Sequence, residues 1–305
     1  MLNVFLHASH EAHGLWEVVT DALLDTLKLL PFLFLSYLLM EFLEHKSGDA
    51  SKTWLRRSGK IGPVIGGALG ILPQCGFSAA ASGLYTGRMI TTGTLLAVYL
   101  STSDEMLPIL ISEGAPFSFI LKILGTKLLI GIAAGVTVDL VAAAIRRRRS
   151  SPAPEPQIEE LCEREGCQCS ERFWVSALRH TLRISLFLLL FSLVLGAVIF
   201  AVGEEHLAEL ILDRPILSNF LAAVVGLIPN CVSSVLLTKL HLDGILSVGA
   251  MLSGLLVNAG VALALLFRNN RPLKDSFRIL LLLFSIGLLC GILIDVTPLA
   301  GWLRL

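Results

Sequence analysis

Charged residues are scarce in this sequence. Asp, Glu, Lys and Arg make up 16% of its 305 residues, whereas soluble domains carry about 25%. Aromatic residues reach only 7% and the formal net charge is zero, so the composition gives no support to nucleic-acid binding. Hydrophobic residues account for 54%, and the mean hydropathy is +0.77. These values exclude an ordinary soluble domain and predict a membrane protein.

Several signals for other classes of protein are also missing. The sequence has no Gly-x4-Gly-Lys-Ser/Thr phosphate loop, which argues against an ATP-driven pump. It has neither His-Glu-x-x-His nor Gly-x-Ser-x-Gly, so we expect no enzyme and no cofactor. The first twenty residues contain no Lys or Arg, so they lack the basic start of a secretory signal peptide, and we expect the N-terminus to be retained.

Long apolar runs predict membrane-spanning helices. The runs Leu27–Leu43, Ile184–Val202 and Ile279–Ile294 approach or reach the roughly 17–25 residues needed to cross a hydrocarbon core. Because backbone polar groups must be satisfied within the bilayer, such segments are expected to be helical. The sequence thus predicts an all-α polytopic membrane protein.

The sequence also contains an internal duplication. Gly70–Cys75 (GILPQC) matches Gly226–Cys231 (GLIPNC) at an offset of 156 residues (229 − 73). The same offset pairs further residues without a gap, namely Ser78 with Ser234, Gly93 with Gly249, Gly131 with Gly287, Gly135 with Gly291 and Asp139 with Asp295. We therefore divide the chain into a first repeat over 1–145, a linker over 146–173 that opens with four arginines, and a second repeat over 174–305.

Loop charges indicate that the two repeats have opposite orientations. The loop after the first span carries Lys46, Lys52, Arg56, Arg57 and Lys60, whereas its counterpart is acidic, with Glu204, Glu205, Glu209 and Asp213 against Arg214. Because cytoplasmic loops carry the excess of Lys and Arg, the first loop is predicted inside and its counterpart outside. The pattern predicts an inverted repeat with both termini outside, as in many secondary transporters.

Each repeat is too short for full spans throughout. We predict a re-entrant hairpin over Ile61–Tyr85 with its tip at Pro73–Gly76, a crossing over Met89–Ser112 interrupted near Ser101–Glu105, and a return over Phe117–Ile145. Counting hairpin arms, this gives about ten membrane segments. Whether the hairpins are re-entrant or fully spanning stays open.

Irregular backbone at membrane depth is tolerated only where it is buried in protein or lines a cavity. We therefore expect the hairpin tips and the interruptions to form the substrate site. An alternative is that proline only kinks a packed helix and cysteine fills space. The residues expected to line the site are Pro73, Gln74, Cys75, Ser78, Ser101, Thr102, Ser103, Asp104, Glu105, Pro229, Asn230, Cys231, Ser234 and Asn258.

Four of these residues are candidate metal ligands. Cys75 and Cys231 offer thiols at the two tips, and Asp104 and Glu105 place two carboxylates within an apolar stretch, where ionisable residues are costly and mark functional sites. The alternative interpretation is that the carboxylates belong to a solvated turn at the membrane surface.

Other ionisable residues give weaker signals. Asp139 and Asp295 lie at equivalent ends of the last helix of each repeat. The favoured interpretation is that they are solvated at a helix end, and the alternative is that protons enter and leave through them. His7, His10 and His13 could bind an accessory metal ion, and the alternative is a solvated terminus. Cys162, Cys167 and Cys169 could do the same, and the alternative is a linker without metal.

Two motifs give the sequence a resemblance to a known family. These are Leu72-Pro73-Gln74-Cys75-Gly76-Phe77-Ser78, followed by Gly87-Arg88, and Leu100-Ser101-Thr102-Ser103-Asp104-Glu105-Met106-Leu107-Pro108. In these motifs the chain resembles the ten-transmembrane heavy-metal exporters, whose members are described as arsenic efflux proteins or manganese transporters. The resemblance implies a ten-segment membrane fold and export of a metal or metalloid ion.

Taken together, these features predict a secondary transporter in the plasma (inner) membrane. We expect it to export a heavy-metal or metalloid ion by alternating access, coupled to protons, with the lipid bilayer, the ion and protons as its partners. Whether the protein forms a homo-oligomer stays open. The alternative is a permease for a small anion or organic solute, in which helix N-termini bind negative charge.

Overall fold

The computed structural model describes residues 61–72, 75–103, 106–149, 215–230 and 232–303, together with individual positions within 19–38 and 178–194. In this part of the chain the structure is helical and contains no strand. The predicted all-α class is therefore confirmed for the described residues.

The first repeat contains five described helices. Each is shorter than a full span except the last, which has 33 residues. The helices are α1 Gly62–Gly70, α2 Cys75–Thr86, α3 Thr92–Ser101, α4 Met106–Ser112 and α5 Phe117–Arg149.

The second repeat follows the same order of helices. They are α6 Pro215–Gly226, α7 Val232–Leu242, α8 Val248–Val257, α9 Val261–Asn269 and α10 Leu273–Val296, followed by the short α11 Leu299–Trp302. Helices α3 and α8 begin and end 156 residues apart (248 − 92 and 257 − 101), which is the offset of the duplicated sequence.

Among the described residues, four segments are long and apolar enough to cross a membrane: Thr92–Ser112, Phe117–Arg148, Val248–Asn269 and Leu273–Val296. The first consists of α3 and α4 and the third of α8 and α9, so each is a helix with a break. The interruption predicted in the first repeat is thus present, since α3 ends at Ser101 and the chain becomes helical again at Met106. These two broken segments are mostly buried, whereas only a small share of α5 and of α10 is buried.

Matching N-caps begin the two central helices. The Thr91 side chain accepts a hydrogen bond from the backbone N–H of Thr94 at the start of α3, and the Ser247 side chain accepts one from Ala250 at the start of α8. A hydroxyl at this position satisfies one of the free N–H groups of a first helical turn. The same local chemistry therefore starts the same helix in both repeats.

Small residues let the helices pack closely within each repeat. Helix α3 packs on α1 and α5, and α8 packs on α6 and α10. A Cβ added at Gly135 would collide with the backbone of Gly93, and one added at Gly291 would collide with Gly249. Contact through glycine is typical of helix pairs in membranes, where close backbone approach replaces the hydrophobic driving force.

The two repeats also pack against each other. Helix α2 packs on α9 of the other repeat, and α7 packs on α4. In the first of these contacts, the Ser82 hydroxyl donates a hydrogen bond of 2.9 Å to the carbonyl oxygen of Ala262 and shares a 2.7 Å hydrogen bond with Tyr99. Helices α2 and α7 are therefore each held by the broken segment of the other repeat.

The boundary predicted at residue 145 falls within a continuous helix. Helix α5 extends through the arginine run to Arg149, four residues into the segment interpreted as linker. The rest of the linker lies outside the described residues, so the division into domains stays a prediction.

Candidate functional site

The first helix break buries three hydroxyl side chains. Thr102 leaves the helical conformation with φ −55° and ψ 127° after α3 ends, and Ser101, Thr102 and Ser103 are all buried. The Ser101 and Thr102 hydroxyls each donate a 2.7 Å hydrogen bond to the preceding helical turn, at the carbonyl oxygens of Ala97 and Val98. Asp104 and Glu105, which complete the predicted motif, lie outside the described residues.

The second helix break is built from an amide and a glycine. Asn258 ends α8, and its Oδ1 accepts a 2.9 Å hydrogen bond from the backbone N–H of Gly260. Gly260 has φ 56° and ψ −148°, a conformation that L side chains rarely adopt, and α9 begins at the next residue. Asn258 is 2% exposed, so this predicted site residue is buried in the protein interior.

A lysine that the sequence reasoning missed joins the two breaks. Lys127 lies in the middle of α5 and is 1% exposed. Its Nζ donates hydrogen bonds to the carbonyl oxygen of Thr102 in the first break and, at 2.9 Å, to that of Leu255 in the last turn of α8. The two breaks are therefore neighbours, and the amino group of Lys127 lies between them.

A signal for this lysine was present in the sequence. Lys127 is one of two lysines, with Lys122, in the apolar run Phe117–Ile145, and an ionisable residue within a membrane segment is a functional candidate by default. Its counterpart in the second repeat is Leu283, at the same offset of 156 residues. Because Lys127 and Leu283 differ, matching identical residues between the two repeats does not reveal this position.

The geometry favours a cation at this place. The last carbonyl groups of a helix have no intrahelical partner and carry the negative end of the helix dipole. Thr102 follows the last turn of α3, and Leu255 lies in the last turn of α8, so both oxygens that bind Lys127 belong to such carbonyls. The breaks thus create acceptors in the interior of the protein.

The C-terminal end of α1 contacts the first break. The Ser103 hydroxyl donates a hydrogen bond to the carbonyl oxygen of Ile71, just beyond α1, and a Cβ added at Gly70 would collide with Ser101. The structure therefore brings one side of the predicted tip together with the predicted interruption. Pro73 and Gln74 of this tip lie outside the described residues.

The second tip is described in part. Pro229 and Asn230 lie in the turn after α6, and Asn230 is buried, with its backbone N–H donating to the carbonyl oxygen of Ile228 at 2.7 Å. The Ser233 hydroxyl donates to the carbonyl oxygen of Asn230 at 2.8 Å. Cys231 lies outside the described residues, and of Cys75 the structure describes only that α2 begins there.

The two predicted serines of the hairpins occupy equivalent positions. Ser78 and Ser234 are buried on α2 and α7. Their carbonyl oxygens accept hydrogen bonds from Ser82 at 2.9 Å and from Thr238 at 2.7 Å, respectively, one turn further along each helix.

The favoured interpretation of Asp139 and Asp295 as solvated helix ends is wrong. Asp139 accepts hydrogen bonds from the Thr91 hydroxyl at 2.6 Å and the Gly93 N–H at 2.9 Å. Asp295 accepts equivalent bonds from Ser247 at 2.7 Å and Gly249 at 2.9 Å. Each carboxylate therefore binds the N-terminus of the neighbouring central helix, where negative charge is favourable.

The second repeat extends this arrangement by two polar residues. Asn219 donates from its amide to Asp295 at 2.7 Å and accepts from the Ser253 hydroxyl at 2.7 Å. In the first repeat the equivalent positions hold Pro63 and Ala97, which have no polar side chain. The Asp295 carboxylate is thus held by one more side chain than the Asp139 carboxylate.

The predicted metal ligands stay predictions. Among the residues that the structure describes, no group of three or more His, Cys, Asp or Glu side chains is placed to hold a metal ion. Asp104, Glu105 and Cys231 lie outside the described residues. So do the accessory candidates His7, His10, His13, Cys162, Cys167 and Cys169.

Comparison with known proteins identifies the family. Residues 14–195, more than half of the chain, match the family described as "Putative, 10TM heavy-metal exporter". No curated protein and no solved structure matches the chain. The matched residues contain both motifs on which the resemblance was based, the first helix break and Lys127. The chain therefore belongs to the ten-transmembrane heavy-metal exporter family and is a multi-pass membrane protein.

Proposed function

We propose that this chain exports a heavy-metal or metalloid ion across the plasma membrane by alternating access, in exchange for protons. The main observation in support is that the breaks of two helical segments, after α3 and after α8, lie next to each other at one buried site. In secondary transporters, discontinuous helices near the bilayer midplane supply freed backbone groups for substrates and coupling ions. Membership of an exporter family supports the same function.

The two repeats would form the moving parts. The order of helices and the capping of α3 and α8 recur at one sequence offset, which supports a common unit in both repeats. Opposite loop charges support opposite orientations of these units. In this proposal the pairs α1–α2 and α6–α7 are re-entrant hairpins that enter from opposite faces, and both termini lie outside.

The ion would bind between the tips and the breaks. In the sequence, Asp104 and Glu105 follow directly on the buried Ser103, and Cys75 and Cys231 lie in the predicted tips. Thiolates suit soft ions such as arsenite, whereas carboxylates and amides suit manganese. The cargo is therefore proposed to be a manganese-type or arsenic-type ion.

One observation favours a second candidate function. The Lys127 ammonium between the breaks would attract a negatively charged substrate as well as repel a positive one. A permease for a small anion such as phosphate or sulfate is therefore the alternative. The adjoining carboxylates of Asp104 and Glu105 oppose it, since they would repel an anion.

Ligand-dependent thermal stabilisation of the purified full chain tests the proposal. A ligand that binds only the folded state raises the unfolding midpoint, and the stabilisation grows with the logarithm of the ligand concentration once this exceeds the Kd. We expect Mn²⁺, Zn²⁺ or arsenite to raise it, and Asp104→Asn or Glu105→Gln to weaken the apparent ion affinity by about tenfold or more. Glu113→Gln, at an exposed turn, is the matched control and should behave as the parent. Stabilisation by phosphate or sulfate alone would favour the anion permease.

A further inference from the structure

The turn after α2 holds an arginine in a left-handed backbone conformation. Arg88 has φ 57°, and Gly244, at the equivalent position of the second repeat (88 + 156), has φ 74°. Glycine adopts this conformation without strain, whereas a side chain makes it unfavourable. Because glycine alone would satisfy the turn, the arginine indicates a role for its side chain.

The Arg88 side chain contacts the other repeat. Its Nη1 forms an ion pair with Oδ2 of Asp275 at 3.5 Å, and its Nη2 donates to the carbonyl oxygen of Arg271 at 3.3 Å. Tyr85, in the last turn of α2, donates from its hydroxyl to the same carboxylate oxygen at 2.8 Å, and Asn270 donates to it at 3.1 Å. Tyr85, Arg88 and Asp275 thus tie the end of α2 to the start of α10, and we name these three residues the latch.

The latch lies at the end of a buried seam, the contact between α2 and α9. One turn further into the protein, the Ser82 hydroxyl donates to the carbonyl oxygen of Ala262 and shares a hydrogen bond with the Tyr99 hydroxyl. All three residues are fully buried. Ala262 follows the second break at Gly260 by two residues, and Tyr99 lies two residues before Ser101, where α3 ends. The seam therefore leads from the latch to the two breaks, where the substrate is proposed to bind.

The latch is a contact that can open without unfolding the protein. The side chains of Arg88 and Asp275 are 23% and 25% exposed, and an ion pair in contact with water contributes little to stability. The hydrogen bond from Tyr85 to the carboxylate adds more. A contact built from so few bonds suits two conformations that differ by a small free energy.

The equivalent contact in the other half of the pair has different chemistry. The positions of Tyr85 and Asp275 hold His241 and Phe119, whose rings stack with centroids 5.8 Å apart. The turn beside them contains Gly244, which has no side chain to reach the other repeat. A substitution of the latch should therefore act on one of the two contacts only.

We propose that the latch is the cytoplasmic gate of the transport pathway. This inference rests on the proposed function, because it takes the substrate to enter between the two repeats. The connection between α9 and α10 is rich in Lys and Arg, which favours the cytoplasmic side for this end of the seam. The gate is closed in this conformation. Loading from the cytoplasm requires Tyr85 and Arg88 to leave Asp275, so that α2 and α9 can separate.

Thiol labelling of the purified full chain measures opening at each contact. In a background without other cysteines, Ala262→Cys reports on the seam, and Met106→Cys reports on the equivalent position (262 − 156) near the contact between α4 and α7; both native residues are fully buried. Arg88→Gly removes the latch side chain and leaves a turn that glycine forms freely, as at Gly244, so the protein should fold. Maleimide should label Ala262→Cys about tenfold faster in this variant, and Met106→Cys no faster than before.

Further variants test whether the latch residues act together. Asp275→Asn should also speed labelling of Ala262→Cys, and its combination with Arg88→Gly should add less than the two single changes predict, because both remove the same ion pair. Lys274→Gln, exposed and next to Asp275 on α10, is the matched control and should label as the parent does.

Two outcomes of the labelling would overturn the inference. One is a parent-like rate at Ala262→Cys in the Arg88→Gly protein. The other is an equal rise at Ala262→Cys and Met106→Cys, which would show that the substitution loosens the whole molecule and does not open one gate.

Whole cells test the side on which the gate lies. With Arg88→Gly, an impermeant maleimide should label Ala262→Cys only after the membrane is permeabilised, and labelling in intact cells would overturn the inference. These measurements need no cargo, so they are independent of its identity. Selective opening at Ala262→Cys, together with transport of phosphate or sulfate and of no metal or metalloid ion, would retain the gate and overturn the cation-exporter function.

Discussion

At the scale of single residues, the two carboxylates Asp139 and Asp295 fasten the central helices to their neighbours. Each accepts a hydroxyl hydrogen bond and a backbone N–H hydrogen bond at a helix N-terminus. Hydrogen bonds to a charged group are among the stronger ones in proteins, at about 1.5–3 kcal/mol each. These residues are therefore expected to hold the positions of α3 and α8, and with them the breaks.

The first prediction concerns stability. Asp139→Asn and Asp295→Asn should each lower the free energy of unfolding by about 1 to 3 kcal/mol, because an amide presents only one acceptor oxygen and no charge to the helix N-terminus. The loss should be larger at Asp295, which also binds Asn219. Denaturant titration in lipid–detergent micelles measures both values. Asp243→Asn, at an exposed turn, is the control, and equal stability of all three variants would contradict the clamping role.

At the scale of helices, glycine decides how closely the elements approach. On α5, a Cβ at Gly135 would collide with the backbone of Gly93 and lie 2.9 Å from the Cβ of Ala97. On the same helix, a Cβ at Gly125 would meet nothing within 4 Å. One helix therefore contains both a packed and an open glycine.

The second prediction uses this pair. Gly125→Ala should leave stability unchanged or raise it by up to about 1 kcal/mol, since alanine is the better helix former. Gly135→Ala should lower it by about 1–3 kcal/mol, because α3 and α5 must separate to admit the methyl group. The thermal unfolding midpoint should thus fall for Gly135→Ala and stay the same or rise for Gly125→Ala. A midpoint for Gly135→Ala at or above that of Gly125→Ala would show that this contact does not limit the packing.

The helix breaks could be predicted from the sequence, but their partners could not. Polar residues at Ser101–Glu105 and an Asn-Ala-Gly sequence at Asn258–Gly260 interrupt apolar runs, which is a local signal. The hydrogen bonds of Asp139 and Asp295 depend on which helix N-terminus packs beside them, and this is a long-range property. Lys127 gave a local signal as a cation within an apolar run, yet its surroundings follow only from the two carbonyl groups that the tertiary structure places around it.

At the scale of the whole molecule, the two repeats are linked by related contacts of unequal chemistry. Tyr85 donates to Asp275 at 2.8 Å, and the residues at the equivalent positions, His241 and Phe119, stack with ring centroids 5.8 Å apart. Arg88 adds an ion pair to Asp275 at 3.5 Å. One of these two equivalent contacts is therefore polar and the other aromatic.

The third prediction concerns the orientation of the chain. In a cysteine-free protein in whole cells, an impermeant maleimide should label cysteines introduced near either terminus. It should not label Lys52→Cys or Ser151→Cys until the membrane is permeabilised. The physical reason is the excess of Lys and Arg in the segments around these two positions, which favours the cytoplasmic side. Labelling of Ser151→Cys in intact cells would overturn the inverted topology.

Ion flux through the purified protein in lipid vesicles tests the central claim most directly. With an acidic lumen and a neutral exterior, Mn²⁺ or arsenite added outside should accumulate in the lumen above its external concentration. A protonophore that collapses the pH gradient should abolish the accumulation, because the ion is exchanged for protons. Failure of every metal and metalloid ion to accumulate, with phosphate or sulfate crossing the same membranes, would contradict the assignment as a heavy-metal exporter.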